Sequence, residues 1–192
     1  MHKDLWLQAW LPLLTERAGG VAVLELGCGG GDDSETLVTA GLALIAIDCS
    51  ESAIATARQR VPQAQCLCQD IKQSFPVEPC STGVVLASLC LHYFSWLETV
   101  VLVERVRTVL RPGGVLLCRL NSTNDSNYGA VGHPAIEDNF YLVKGEPKRF
   151  FDRPAVDALF NHGWKTLSME EKTTHKYAMP KVLWEVALER VG

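Results

Sequence analysis

The chain has 192 residues, which fits one domain of the doubly wound size range and leaves no room for a second full core. Hydrophobic residues make up 47% and charged residues 21%, so a substantial core can form and a disordered chain is excluded. The formal net charge is −4 and Lys148–Arg149 is the only adjacent basic pair, which argues against a basic nucleic-acid-binding face.

The cysteines and the first residues indicate a reducing compartment. The seven cysteines are odd in number and contain no Cys-x-x-Cys pair, so we expect mostly buried free thiols and no metal site. No apolar run approaches the ~20 residues needed to span a bilayer, and the N-terminus lacks a signal-peptide pattern. We therefore expect a cytoplasmic protein without a membrane segment. The sequence carries no signal for an oligomeric state.

The first two thirds of the chain alternate apolar runs with helix-like stretches, a pattern that predicts a doubly wound, mostly parallel sheet with helices on both faces. An opening helix near Asp4–Thr15 is expected to bury one face that carries Trp6, Trp10 and Leu13. The next elements, in chain order, are strands Val21–Leu26 and Leu42–Asp48, a helix capped by Ser50, strands Gln65–Gln69 and Gly83–Ser88, helix Trp96–Leu110 and strand Val115–Leu120.

The remaining part of the chain changes pattern. The segment Asn121–Gly145 is rich in Asn, Ser, Gly, Asp and Pro, which predicts a long loop of the functional or disordered kind. Asp152 should cap a helix that ends near His162. Two β-like runs, Lys165–Lys172 and Val182–Arg190, then predict an antiparallel pair at the edge of the sheet. We expect residues 1–192 to form a single domain.

The glycine-rich turn after the first strand is the most informative segment, and it runs from Glu25 through Gly27 and Gly29 to Asp32 and Asp33. Its glycines allow positive φ and close approach of a ligand. A dinucleotide fingerprint would need glycine in place of Asp32, and two acids there would repel a pyrophosphate. The turn therefore suits a cationic ligand without phosphate. The same two acids equally suit a helix N-terminus, whose dipole attracts carboxylates.

Two further acids lie at predicted strand ends, where ligands bind in open α/β sheets. Asp48 ends the second strand, in the position from which a carboxylate grips ribose hydroxyls. Asp70 follows the third strand and can accept a hydrogen bond from an adenine amino group, with Ile71 packing beside the ring. The three strand ends together predict an adenosine-containing ligand.

These motifs resemble those of the class I S-adenosylmethionine-dependent methyltransferases. Glu25-Leu-Gly-Cys-Gly-x-Gly is similar to the family's first motif. Asp48 and Asp70-Ile are similar to the acids that follow the second and third strands, and Arg111-Pro-Gly-Gly is similar to the turn before the fifth strand. The ordered resemblance spans Val21 to Leu120, and small bacterial-type methyltransferase domains share these motifs. This sequence departs from the family pattern at the start of the fourth strand, where it has Thr82-Gly83 and many members have Asp.

The resemblance implies a Rossmann-like methyltransferase fold, seven-stranded and mostly parallel with an antiparallel last strand. It implies S-adenosyl-L-methionine as the cofactor, with the glycine loop against its methionine part. It also implies in-line transfer of a methyl group to an acceptor, for which we favour a small molecule over nucleic acid. The expected cofactor-binding residues are Glu25, Gly27, Cys28, Gly29, Asp32, Asp48, Cys49, Asp70, Ile71 and Ser88.

The acceptor side is predicted from residues that follow the fourth and fifth strands. His92 is the first candidate for a general base, although a packed histidine between loop and helix fits the same position. The candidate substrate contacts are Tyr93, Asn121, Asn124 and Tyr128. The last three could form a solvated cluster of turns, but their place directly after the fifth strand favours substrate contact or a lid.

Two alternative functions stay open from the sequence. One is a non-catalytic S-adenosylmethionine-binding regulatory or assembly protein, because cofactor-binding residues do not by themselves imply turnover. The other is an NAD-dependent oxidoreductase, which Asp32 opposes because it stands in place of the third glycine.

Overall fold

A computed structural model describes residues 5–192. Its main sheet has seven strands: β1 (Val23–Leu26), β2 (Leu44–Asp48), β3 (Gln65–Cys68), β4 (Thr82–Ser88), β5 (Leu110–Asn121), β9 (Trp164–Thr174) and β10 (Lys181–Arg190). Their order across the sheet is β3-β2-β1-β4-β5-β10-β9. β10 runs antiparallel to both neighbours, whereas the pairs from β3 to β5 are parallel. The predicted fold class is confirmed.

Helices cover both faces of this sheet. One face packs against a 3₁₀ turn (Trp6–Trp10) and helices α1 (Leu11–Ala18), α2 (Asp32–Thr39) and α3 (Glu51–Arg60). The other face packs against α4 (Trp96–Val109) and α5 (Arg153–Leu159). Burial on both sides explains why the central strands are almost continuously apolar. Within residues 5–192 no helix is long and apolar enough to cross a membrane.

The helix starts follow local capping chemistry. Ser50 Oγ accepts a hydrogen bond from the backbone amide of Ala53 at 3.3 Å, as predicted for the start of α3. Asp152 Oδ1 accepts one from Ala155 at 2.8 Å, which confirms the predicted cap of α5. This last helix ends at Leu159, a few residues before the predicted end near His162.

The opening segment differs from the single helix predicted near Asp4–Thr15. Asp4 itself lies outside the described residues, and a 3₁₀ turn precedes α1, which extends to Ala18. Pro12 lies in the first turn of α1, where backbone amides have no hydrogen-bond partner within the helix. Because proline has no amide hydrogen, it is tolerated at this position and favours a helix that begins there.

The tryptophans predicted on the buried face of that segment do pack against the core, but they are not its most buried residues. Leu7 and Leu14 are fully buried, whereas Trp6 and Trp10 are only partly buried. Both indole N–H groups donate to carboxylates, Trp6 to Asp33 and Trp10 to Glu185, so each ring lies at the edge of the core.

The segment predicted as a long loop contains a second, three-stranded antiparallel sheet. Its strands are β6 (Ala135–Glu137), β7 (Phe140–Val143) and β8 (Glu146–Arg149). The β7–β8 turn places Lys144 and Gly145 at φ 53° and 87°, the left-handed geometry of a tight hairpin. These strands have only three or four residues each, too few to show the alternation by which strands are recognised from sequence.

The cysteines are all free, but their burial is uneven. Four are buried, whereas Cys49, Cys68 and Cys80 are exposed, contrary to the expectation of general burial. Cys49 and Cys68 are exposed because they stand at the ends of β2 and β3, where the sheet opens toward solvent.

Candidate functional site

Two adjoining cavities lie at the carboxyl ends of the central strands. The large cavity has a volume of about 660 Å³, and the small cavity one of about 170 Å³. They share the walls formed by Gly27, Gly29 and Leu89. The large cavity extends toward β2 and β3 and is covered by the β7–β8 hairpin, whereas the small one lies over α2 and the end of β5.

The glycine loop is held close to the neighbouring strand ends. Gly27 has φ 67°, and a Cβ placed on it would lie 2.4 Å from Cβ of Cys90, so the close approach of these segments requires glycine. Gly29 has φ 53°, and a Cβ placed there would meet no atom within 4 Å. The glycine backbone therefore forms an open surface in both cavities.

Asp48 organises this loop with its carboxylate. Its Oδ2 accepts a hydrogen bond from the Gly29 amide at 2.9 Å, and its Oδ1 accepts one from the Ser50 amide at 2.9 Å. Each oxygen keeps capacity for a further donor. The side chain is thus fixed in the wall of the large cavity with two acceptor sites available to a ligand.

Asp70 and its neighbours form the far end of the large cavity. The Asp70 carboxylate accepts a hydrogen bond from the Lys72 amide at 2.8 Å, which fixes the turn after β3. Ile71 is 6% exposed and, with the exposed Cys49, adds an apolar surface beside the two acids. The sequence-predicted acids of β2 and β3 therefore line one cavity.

Glu25 lines the small cavity and is 2% exposed. Burial is the main cause that raises the pKa of its carboxyl to about 8, and the negative charges of Asp33 and Asp48 raise this pKa further. The hydrogen bond that Ser34 Oγ donates to Glu25, at 2.5 Å, acts in the opposite direction and lowers the pKa. The group is therefore mostly neutral at pH 7 and ionises more readily when a cation enters. Cys28 lines the same cavity, and burial raises the pKa of its thiol.

Asp32 and Asp33 begin α2 and also line the small cavity. Asp32 pairs with Arg60 and, at 3.0 Å, with Lys176; the hydrogen bond from Lys176 is the main cause that lowers the Asp32 pKa. Asp33 accepts a hydrogen bond from the Trp6 indole at 2.9 Å. Both acids thus join the glycine loop to distant segments as well as facing the cavity.

Sequence reasoning missed the groups on the other side of the small cavity. Arg119, near the end of β5, is 3% exposed and donates from Nε to Ser88 Oγ at 2.9 Å. Leu89 follows Ser88 with φ 55°, a left-handed conformation that is uncommon for a side chain and often marks functional positions. The signal available in the sequence was an arginine within the otherwise apolar strand around Leu116–Leu120.

His92 is buried beside the site but lines neither cavity. Burial is the main cause that lowers its pKa to about 3, and the charges of Lys181 and Lys148 add to the effect. Its Nδ1 finds no hydrogen-bond partner within residues 5–192. A histidine in this state is neutral at physiological pH and is a weak base.

The structure brings one of the predicted substrate contacts to the site. Tyr93 lines the large cavity, whereas the other three line neither cavity. Asn121 is buried and donates to the Arg149 carbonyl at 3.4 Å, and Asn124 donates to Glu171. The Tyr128 hydroxyl bonds to the backbone of Met179. These three connect the segment after β5 to its neighbours.

The chain is similar to known methyltransferases over its first part. A family model described as a methyltransferase domain matches residues 23–114. An uncharacterized methyltransferase of Synechocystis sp. is 31% identical over 96 residues, which cover 50% of this chain and 45% of that protein. Trans-aconitate 2-methyltransferase of Delftia acidovorans is 36% identical over 101 residues, 51% of this chain and 37% of that protein. The chain thus spans less than half the length of these two relatives.

The whole fold is also shared. A crystal structure of an S-adenosylmethionine-dependent methyltransferase from Methanosarcina mazei superposes with a TM-score of 0.77 at 15% identity, covering 94% of this chain and 97% of that one. The matched residues 23–114 include the glycine loop and the strand-end acids Asp48 and Asp70. Residues 23–114 thus match a methyltransferase-domain family, and the fold of the chain is shared with a solved S-adenosylmethionine-dependent methyltransferase.

Proposed function

We propose that this chain transfers a methyl group from S-adenosyl-L-methionine to a small-molecule acceptor. The observation that carries the proposal is the large cavity of about 660 Å³, which joins the glycine loop and two strand-end acids to an aromatic wall. Its walls include the acids Asp48 and Asp70 and also Tyr93, Phe94 and Lys148. Cofactor and acceptor thus share one chamber.

The donor and acceptor groups of the two cavities fit the cofactor. In the proposed arrangement Asp48 accepts hydrogen bonds from the ribose hydroxyls, and Asp70 accepts one from the adenine amino group beside Ile71. Gly27 and Gly29 face the methionine part, next to Cys28, Asp32 and Ser88. Glu25 ionises to meet the ammonium group, which removes the cost of a lone buried carboxylate.

The bound cofactor supplies a methyl group on a positively charged sulfur, which is already activated for attack. The protein's task is therefore to orient an acceptor and to exclude water, and such positioning can contribute ~7–11 kcal/mol. Leu89 borders both cavities, and Tyr93 and Phe94 cover the large one together with Pro147 of β8. We leave His92 out of this machinery because it lines neither cavity and is a weak base.

A small acceptor is supported by the size and walls of the large cavity. Strand β8 contributes Glu146, Pro147 and Lys148 to its wall, and the volume of about 660 Å³ suits a small molecule beside the cofactor. The Delftia acidovorans relative is named for trans-aconitate, a small molecule. The formal net charge of −4 also favours such an acceptor over a nucleic acid.

The test is methyl transfer from methyl-labelled S-adenosylmethionine to three separate pools: ultrafiltered metabolites, total RNA and denatured protein. We expect label in the metabolite pool, and loss of this signal in Asp48→Ala. Label that appears only in RNA or protein would contradict a small acceptor. If the protein binds the cofactor but labels none of the pools, the non-catalytic alternative replaces the proposal.

A further inference from the structure

A lysine of the second sheet lies in the wall of the large cavity without a partner for its charge. Lys148 of β8 is partly buried, and within residues 5–192 its ammonium forms no hydrogen bond or ion pair. We infer that Lys148 binds a carboxylate group of the acceptor, so that the substrates of this chain are small carboxylic acids. The inference rests on the proposed function, because it names the chemical class of the same acceptor.

The neighbouring arginine fixes the position of Lys148. Arg149 is 4% exposed, and its Nε donates to the carbonyl of Phe94 at 3.1 Å. Because successive side chains of a strand point to opposite faces, Arg149 anchors β8 while Lys148 points to the other side. Lys148 and Phe94 both line the large cavity. The adjacent basic pair of the sequence thus consists of a structural arginine and a lysine at the site.

The order of the strands separates Lys148 from the strand-end acids. β8 lies beside the 3₁₀ turn Leu91–Tyr93, which follows β4. β1 lies between β4 and β2, and β3 lies beyond β2, so Asp48 and Asp70 belong to strand ends further along the sheet edge. In the proposed arrangement these two acids hold the adenosine part of the cofactor. Lys148 is therefore on the side that remains for the acceptor.

Two other lysines near the cavity are less suited to bind an acceptor. Lys181 is 7% exposed and already pairs with the buried Asp125 at 2.8 Å. Lys72 lines the large cavity, but it is exposed and its amide donates to Asp70, so it belongs to the adenosine side. Lys148 is thus the cation that a charged acceptor group would meet.

The charge of Lys148 acts on buried groups as well as on the cavity. Burial is the main cause that lowers the pKa values of Lys181 and His92, and the charge of Lys148 contributes to both. Its ammonium is therefore directed toward the protein interior and not into open solvent. An unpaired ammonium in partly buried surroundings gains more from an anionic partner than one that water screens.

A carboxylate fits these walls better than a phosphate. A carboxylate carries one negative charge, whereas a phosphate monoester carries about two at pH 7. Lys148 supplies one positive charge, and Glu146, an exposed acid of the same strand, would repel a second negative charge. Tyr93, which is 44% exposed, and Phe94 add aromatic surface beside that ammonium. The walls therefore match an apolar or unsaturated molecule that carries one carboxylate.

The experiment separates acceptors by charge before methyl transfer. Ultrafiltered metabolites at neutral pH are passed over an anion-exchange resin, and the retained and unretained fractions are each incubated with the protein and methyl-labelled S-adenosylmethionine. We expect label in the retained fraction, and the same label when that fraction is first treated with alkaline phosphatase. Label confined to the unretained fraction, or lost after phosphatase treatment, would overturn the inference.

Variants of the hairpin test whether Lys148 causes this selectivity. Lys148→Met should lower the initial rate of labelling of the retained fraction by about 10- to 100-fold, the range expected for loss of a hydrogen bond between charged groups. Lys148→Arg, which keeps the charge, should retain most of the rate. Lys144→Met is the matched control, because Lys144 is an exposed lysine of the same hairpin that lines neither cavity.

Cofactor binding distinguishes the possible failures. Calorimetry with S-adenosylhomocysteine should give the same Kd for the wild type and Lys148→Met, because Lys148 lies away from the adenosine side. Loss of S-adenosylhomocysteine binding together with labelling in Lys148→Met would show a merely structural lysine and overturn the inference, as would an unchanged rate of labelling. A wild type that labels neither fraction would instead contradict the proposed function, and the inference with it.

Discussion

Asp48 performs two tasks with one carboxylate. Its oxygens accept hydrogen bonds from the amides of Gly29 and Ser50, and so tie the glycine loop and the start of α3 to the end of β2. The same oxygens face the large cavity, where the proposed ribose hydroxyls add further donors. Removal of this side chain therefore both frees the loop and deletes a ligand contact.

The first prediction concerns that residue. Asp48→Ala should weaken S-adenosylhomocysteine binding by about 1.5–3 kcal/mol, the scale of hydrogen bonds to a charged group. Titration calorimetry measures the change in Kd. Asp157→Ala is the matched control, because Asp157 is an exposed helix residue whose side chain, among residues 5–192, bonds to Arg153. An unchanged Kd for Asp48→Ala would remove this residue from the cofactor site.

Glu25 predicts a dependence of stability on pH. Its pKa in the folded protein, about 8, lies above its ordinary value of 4.5, because the buried carboxyl holds a proton that the unfolded chain releases. Its contribution to stability is therefore complete below about pH 4.5 and is lost as the pH rises through about 8. Glu25→Gln keeps the shape and removes the titration.

Urea unfolding at about pH 5 and about pH 8.5 measures this effect. The wild type should lose more free energy of unfolding between these two values than Glu25→Gln, by an amount on the order of a few kcal/mol. Parallel pH profiles for the two proteins would show that Glu25 is ionised in the unliganded protein.

At the scale of elements, the junction of α1, β4 and β5 depends on a glycine. Between the pairs Thr82–Leu110 and Val84–Val115 the register shifts, so that Arg111–Gly114 bulge from the ladder. Arg111 then donates to the Arg17 carbonyl at 2.6 Å. This arrangement brings the end of α1 against the backbone of Gly83, and it explains why the aspartate common in the family at this place is missing.

The corresponding prediction is that Gly83→Ala destabilises the fold. A Cβ there would lie 1.8 Å from the Arg17 carbonyl oxygen, and such overpacking typically costs about 1–3 kcal/mol. Urea unfolding of the variant measures the loss. Gly30→Ala is the control, since its nearest neighbour is the Thr56 methyl group at 3.3 Å. A loss for Gly83→Ala no larger than that of the control would contradict this account of the junction.

Some features of the site could be predicted from the sequence, and others could not. The glycine turn, Asp48 and Asp70 were predicted because each depends on one strand and its following turn, and local patterns identify both. Arg119 and Lys176 were missed because they reach the site through the pairing of β5, β9 and β10, which no local pattern encodes. The β6–β8 sheet was missed because its strands have only three or four residues each and lie in a segment rich in turn-forming residues.

At the scale of the molecule, distant segments close the site from two sides. Trp6 of the opening 3₁₀ turn donates a hydrogen bond to Asp33, and Lys176 of the β9–β10 connection pairs with Asp32. Both acids lie at the start of α2. The β7–β8 hairpin covers the large cavity from the opposite side. The family motifs in the first half of the chain thus form the floor of the site, and the later segments form its cover.

The central claim is that the two cavities bind S-adenosylmethionine and not a dinucleotide. The most direct measurement is calorimetric titration of folded protein, freed of carried-over cofactor, with S-adenosylhomocysteine and with NAD. The account predicts micromolar binding of S-adenosylhomocysteine, equivalent to about −8 kcal/mol, and no heat of binding with NAD. Binding of NAD, or failure to bind S-adenosylhomocysteine, would contradict the claim and leave only the α/β fold established.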